Sequence, residues 1–247
     1  MKTKVKRMLA LCLALLTILS VQSFAAAALA ADVAAALAAD VAADVADGET
    51  ESASEVPDRS AFDALPGDTV VAKLYICSQQ LGFGHSWIYI ESMFDGDMPV
   101  GCCNLKAFQG VSMGTFAVTR ADGPGLYYNV EAYCANKWGL SSQAWLGTEI
   151  TKDQLVAVSD KVMFSNRWDF FRNCTFFAAG IWNTVSDKRI SAFIFPMFIK
   201  MQILNRGGSR DVEMKPVEAS DCFKQKGNGT SAVIEQVSDR SLTSKLF

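Results

Sequence analysis

The stretch His85-Ser86-Trp87-Ile88-Tyr89-Ile90-Glu91 alternates. His85, Trp87, Tyr89 and Glu91 fall on one side, and Ser86, Ile88 and Ile90 on the other. A period of two over seven residues is the signature of a β-strand, because successive side chains leave opposite faces of the pleat. The breaker Gly82-Phe83-Gly84 precedes it. Similar runs lie on both sides: Val70 to Cys77 before, then Met98 to Leu105, Gly114 to Thr119 and Leu126 to Tyr133 after, with the turn Asp122-Gly123-Pro124-Gly125 among them. Strands divided by short turns predict an antiparallel meander of about five.

The pattern then changes period. Thr151-Lys152-Asp153-Gln154 has the form of a capping box, followed by Leu155, Val158, Val162 and Met163 at helical spacing. A second helix is predicted from Asn173 to Val185, with Phe177, Ala178, Ile181, Trp182 and Val185 on one face. Ile190 to Leu204 is a third apolar segment, in which Pro196 suits the first turn of a helix running on to Leu204. Beyond Asn205 the chain is polar, with one further strand expected over Ser231 to Val237. Strands first and helices afterwards give an α+β class, an antiparallel sheet of about five strands packed on helices.

The N-terminus is of another kind. Lys2, Lys4, Lys6 and Arg7 precede the apolar run Met8 to Val21, and Ser23-Phe24-Ala25 supplies a small-x-small pattern. This is the layout of a secretory signal peptide, cut after Ala25 or after Ala30. An uncleaved anchor is the alternative. Residues 1–30 are read as the signal, 31–58 as an Ala/Asp-rich low-complexity linker, 59–205 as the folded domain and 206–247 as a polar C-terminal extension. The expected location is therefore extracytoplasmic, secreted or in the cell envelope, with no stable membrane insertion after cleavage. The formal charge of -3 becomes more negative once the basic leader is removed. Nucleic acid and anionic lipid are then not default partners. A monomer is expected.

Export permits disulfides among Cys77, Cys102, Cys103, Cys134 and Cys222, but a count assigns no partners. The chain has one histidine and no Cys-x-x-Cys pair, so neither a structural zinc site nor another cofactor is expected. What chemistry remains centres on Cys174 and His85. Only a thiolate attacks, and a helix N-terminus and a nearby imidazolium both favour it. Cys174 lies in the first turn of its predicted helix, where backbone N–H groups are unpaired and can receive an oxyanion. Asn173 beside it is a candidate orienting or oxyanion residue. His85 is the only imidazole available as base, and it opens a strand. Taken singly, a helical Cys is ordinarily a small buried hydrophobe and a lone His an ordinary polar residue. The coincidence of both at element starts is what raises them.

Gly84-His85-Ser86-Trp87-Ile88 together with Asn173-Cys174-Thr175-Phe176-Phe177-Ala178 resembles the paired signatures of circularly permuted NlpC-like papain-fold proteins. There a Gly-His strand precedes an Asn-Cys-x-x-Phe-Ala helix. The lecithin retinol acyltransferase group has a similar arrangement. Gly125 to Tyr133 and Trp182-Asn183 also resemble segments of secreted bacterial members. The resemblance spans roughly Val70 to Leu204. It implies a permuted papain-like fold and a Cys–His dyad with a third polar residue orienting the ring. Relatives often carry that residue on the next strand, here Asp97 to Asn104, which makes Asn104 one candidate. Glu131 ranks first, with Asn129 beside it, if their strand neighbours that of His85. Glu91 shares the face of His85 but stands about 20 Å along the strand. The implied activity is amide hydrolysis on peptides or peptidoglycan stem peptides. Thioester or lipid-ester chemistry with the same dyad, and an inactive binding module, are the competing readings. Trp87, Tyr89, Trp138 and Trp145 are cleft or core residues, core being the default. Arg172 is a candidate carboxylate binder or a solvated side chain.

Overall fold

The computed structural model describes residues 59–80, 84–117, 121–139, 143–210 and 213–243. The leader and linker readings fall on residues 1–58 and lie outside these, as do Gly82 and Phe83. After a short helix α1 (Ser60–Asp63) come β1 (Val70–Gln79), β2 (His85–Ser92), β3 (Met98–Val100), β4 (Cys103–Leu105), β5 (Gly110–Phe116) and β6 (Gly125–Tyr128). Then follow α2 (Val130–Trp138), β7 (Gln143–Thr151), α3 (Lys152–Met163), α4 (Cys174–Val185) and α5 (Pro196–Asn205), and last β8 (Phe223–Lys226), β9 (Val233–Gln236) and α6 (Asp239–Thr243).

The class is α+β, but the sheet is larger than the sequence suggested. Seven strands run in the order β7-β1-β2-β5-β6-β8-β9, and β3 and β4 form a separate hairpin. Every pairing in the large sheet is antiparallel. Two differences account for the extra width. β7 was not legible, because Gly147 interrupts its pattern; that glycine lies under the Tyr75 ring, which a Cβ would meet at 2.8 Å. Beyond Asn205 the sheet is extended past β6 by β8, which was not expected, and by β9, which falls within the strand expected over Ser231 to Val237.

A third difference sits beside the site. The expected strand Leu126 to Tyr133 stops at Tyr128. Asn129 takes a left-handed conformation (φ 65°) and starts α2. Asn tolerates that region better than most residues because its amide bonds locally. Here Oδ1 accepts the Ser112 N–H at 3.2 Å and Nδ2 donates to Asp221 O at 2.9 Å. No hydrophobic periodicity announces such a switch.

Alternation divides the sheet cleanly. One face carries Leu74, Ile76, Ile88, Ile90 and Met113, packed on Leu155 and Val158 of α3, Ala178 and Trp182 of α4 and Ile199 of α5. The opposite face carries Tyr75, Cys77, Trp87, Tyr89 and Trp145 against Ala132 of α2 and Met214. Trp87, Tyr89 and Trp145 are therefore core, and Trp138 is exposed. The capping box before α3 forms as its sequence predicts, with Gln154 N–H donating to Thr151 Oγ1 and Thr151 N–H to Gln154 Oε1. Pro196 takes the first turn of α5. Among the described residues no helix is long and apolar enough to cross a membrane.

Candidate active site

His85 is the first residue of β2. Gly84 before it has φ 76°, a left-handed conformation, and a Cβ there would come within 2.8 Å of Gln79 O and 3.1 Å of Pro196 Cβ. Glycine is what lets β2 begin so close to β1 and α5. The imidazole is buried. It stacks on Phe116 at 4.5 Å between ring centroids and on Trp87 at 5.8 Å. These two rings fix its plane.

Glu131, in the first turn of α2, points into the same space. Its Oε1 lies 2.9 Å from His85 Nε2 and its Oε2 accepts from Ser112 Oγ at 2.9 Å. Ser112 Oγ in turn accepts the Ala132 N–H at 3.2 Å. A fully buried carboxylate is costly unless every lone pair is engaged, and here both oxygens are. The helix N-terminus adds favourable dipole. Gly114 of β5 makes the meeting possible: a Cβ at that position would overlap Glu131 Oε1 and stand 2.8 Å from His85 Nε2.

Cys174 opens α4 and is 9% exposed. Asn173 is its N-cap. The Asn173 Oδ1 accepts the Thr175 N–H at 3.0 Å and the Thr175 hydroxyl at 2.7 Å. Its Nδ2 donates to Ile194 O at 2.9 Å. The carboxamide is thus consumed in holding the turn, and Asn173 positions Cys174 without offering a free donor to an oxyanion. The Cys174 side chain is close enough to His85 to act on its imidazole.

Electrostatics favour a charged ring. Burial alone would lower the His85 pKa, but the negative charge and hydrogen bond of Cys174, followed by those of Glu131, outweigh it and raise the value from 6.5 to about 9. Other thiols differ. Burial pushes Cys77 well up, with the Glu131 charge adding to it, and pushes Cys222 up to about 12. Both are held as neutral thiols.

The structure brings Cys174, His85 and Glu131 together and leaves Asn104 elsewhere. Asn104 lies on the β3–β4 hairpin, donating to Asp97 Oδ2 at 2.9 Å, and belongs to no part of the site. Asn129 serves the α2 turn. Glu91 pairs with Lys215 at 3.1 Å, and Arg172 with Asp169 at 3.3 Å. Glu131 arrives on a helix and not, as supposed, on a neighbouring strand. Sequence reasoning missed Ser112, Gly114 and Phe116, which act through contacts distant in the chain. It also missed Gln79. Gln79 is the cross-strand partner of His85, fully buried, with neither carboxamide atom hydrogen-bonded among the described residues. Its signal was faint: a polar residue continuing the apolar strand Val70 to Cys77. No family model, curated protein or solved structure matches the chain.

Proposed function

We propose that the protein is a cysteine-dependent acyl-transfer hydrolase with Cys174 as nucleophile, His85 as general base and acid, and Glu131 as the residue that orients the ring. The observation that carries this is the 2.9 Å contact of His85 Nε2 with a buried carboxylate, while Cys174, opening α4, acts on the same imidazole. Nucleophile, base and orienter stand in the sequence of contacts that triad chemistry requires. The resemblance to permuted NlpC-like papain-fold proteins supports the same reading, with the histidine strand preceding the cysteine helix.

The reaction follows from the groups present. The Cys174 sulfur attacks a carbonyl carbon, and the electron pair moves to the carbonyl oxygen. His85 passes its proton to the departing amine as the C–N bond breaks, leaving a thioester on Cys174. Water then attacks that thioester, with His85 taking its proton and returning it to the sulfur. The Gln79 Nε2 donor, cross-strand from His85 and without a hydrogen-bond partner among the described residues, is the side chain suited to receive the oxyanion. An exported location favours peptide or peptidoglycan stem-peptide amides as substrate. Cys174→Ala and His85→Ala should each abolish turnover of such a digest; Cys174→Ala should melt near the wild type, whereas His85→Ala leaves the buried Glu131 carboxylate unpaired and should melt lower. Undiminished turnover by Cys174→Ala would end the proposal.

A specific observation favours a second substrate class. Phe170, Phe171 and Phe193 are exposed close to Asn173, the residue before the nucleophile. Hydrocarbon-bearing esters or thioesters would suit such surroundings. Incubation with an acyl thioester and intact-mass measurement decides between them: a stable acyl adduct on Cys174 selects this class.

A further inference from the structure

We infer that the face surrounding Cys174 is a docking surface for an anionic lipid bilayer. Most exposed large apolar side chains of the described residues lie between Phe164 and Met201. Phe171 is 69% exposed, Phe195 56% and Phe170 52%. The fold gathers them. Asn173 Nδ2 donates to Ile194 O at 2.9 Å and reaches Phe170 O at 3.4 Å, and Thr175 Oγ1 lies against Phe193 O. Phe193 packs on Phe198 with centroids 5.2 Å apart. Two loops and the first turn of α5 are thereby drawn together at the N-terminus of α4.

Charge names the occupant. Arg167 and Arg172 line a cavity of about 260 Å³ together with Phe164 and Phe176. Both arginines share one carboxylate, Asp169, at 3.9 and 3.3 Å, so the cluster keeps net positive charge. Lys200 follows Phe198 on α5, and the charge of Arg210 is felt there. From Phe164 to Arg210 the only carboxylates are Asp169 and Asp187. The overall charge of -3 conceals this asymmetry. Aromatic side chains among basic ones suit the boundary of acyl chains and anionic headgroups, where apolar insertion and electrostatic attraction add. The inference stands on this surface alone and does not depend on the hydrolase reading.

The test is sedimentation of the processed protein with vesicles of phosphatidylcholine alone and with a phosphatidylglycerol fraction. Wild type should pellet with the anionic vesicles and be released by high salt in part. Phe170→Ser/Phe171→Ser should weaken partition on the order of tenfold or more, since each buried CH₂ is worth about 0.8 kcal/mol. Arg167→Glu/Arg172→Glu should erase the preference for anionic lipid. All variants share one N-terminus, so differences report this face. Alkylation of Cys174 and the melting temperature, measured alongside, verify the fold and read the catalytic proposal separately. Wild type remaining in the supernatant, or the phenylalanine variant binding equally well, overturns the inference. So does a wild-type dimer that the phenylalanine variant dissociates without any vesicle binding, because a second copy would then cover the face.

Discussion

Gln79 and Glu131 set opposite problems for a folded chain. Burying an amide with no partner costs about 1–3 kcal/mol, and among the described residues neither polar atom of Gln79 has one. Replacing it with an apolar residue of similar length should therefore raise stability and lower activity. Gln79→Leu is expected to melt higher than wild type and to lose on the order of 10²-fold in kcat; a variant with unchanged kcat removes Gln79 from catalysis. Glu131 is fully satisfied, and its charge acts on the ring. Because the folded-state pKa of His85 lies above 6.5, at about 9, the stabilisation it provides is complete below about pH 6.5 and is lost as pH rises through about 9. The single histidine makes this readable by NMR titration. Wild type should titrate near 9, with Cys174→Ala moving the midpoint down furthest and Glu131→Gln moving it down by less, with a large loss of kcat. A wild-type midpoint near 6.5 would show the ring to be uncharged in the working range.

Elements differ in how openly their sequences speak. The helices α3 and α4 were legible because capping and apolar spacing coincide, and Asn173 illustrates why. Its side chain caps α4 and ties the loop at Ile194 to that cap. Asn173→Ala removes both bonds, so a loss of about 1–2 kcal/mol is expected from the cap, with slower alkylation of Cys174 as the turn loosens; thermal melting with site-resolved alkylation checks it. β7 and α2 were not legible. Gly147 breaks the strand pattern for the sake of Tyr75, and Leu126, Tyr128 and Val130 alternate as a strand although the chain turns to helix at Asn129. In each case a tertiary contact overrode a local pattern. Cys174 and His85 could be singled out from the sequence since the chain has one histidine and the cysteine opens a predicted helix. Ser112, Gly114 and Phe116 could not, because their parts are defined only once β5 lies beside β2.

At the scale of the whole molecule the C-terminal residues matter more than a polar extension would. Tyr128 OH donates to Gln225 Oε1 at 2.8 Å, and Gln225 Nε2 to Met163 O at 2.7 Å. Asp221 O receives Asn129. A chain ended before Asp221 would leave β6 as a bare edge and remove the acceptor of Asn129 Nδ2, releasing the turn that aims α2. Such a truncation should lose activity and aggregate through the uncovered strand, as light scattering would reveal; a soluble, active truncation would contradict this account.

The closing strands also bear on the order in which the site is completed. A polypeptide is made from its N-terminus, so Cys174 and His85 both emerge before Asp221 and Gln225. The turn at Asn129 that aims Glu131 at the ring is held by Asp221 O. A nascent chain that has reached only Asn205 therefore carries thiol and imidazole without the contact that steadies the carboxylate beside them.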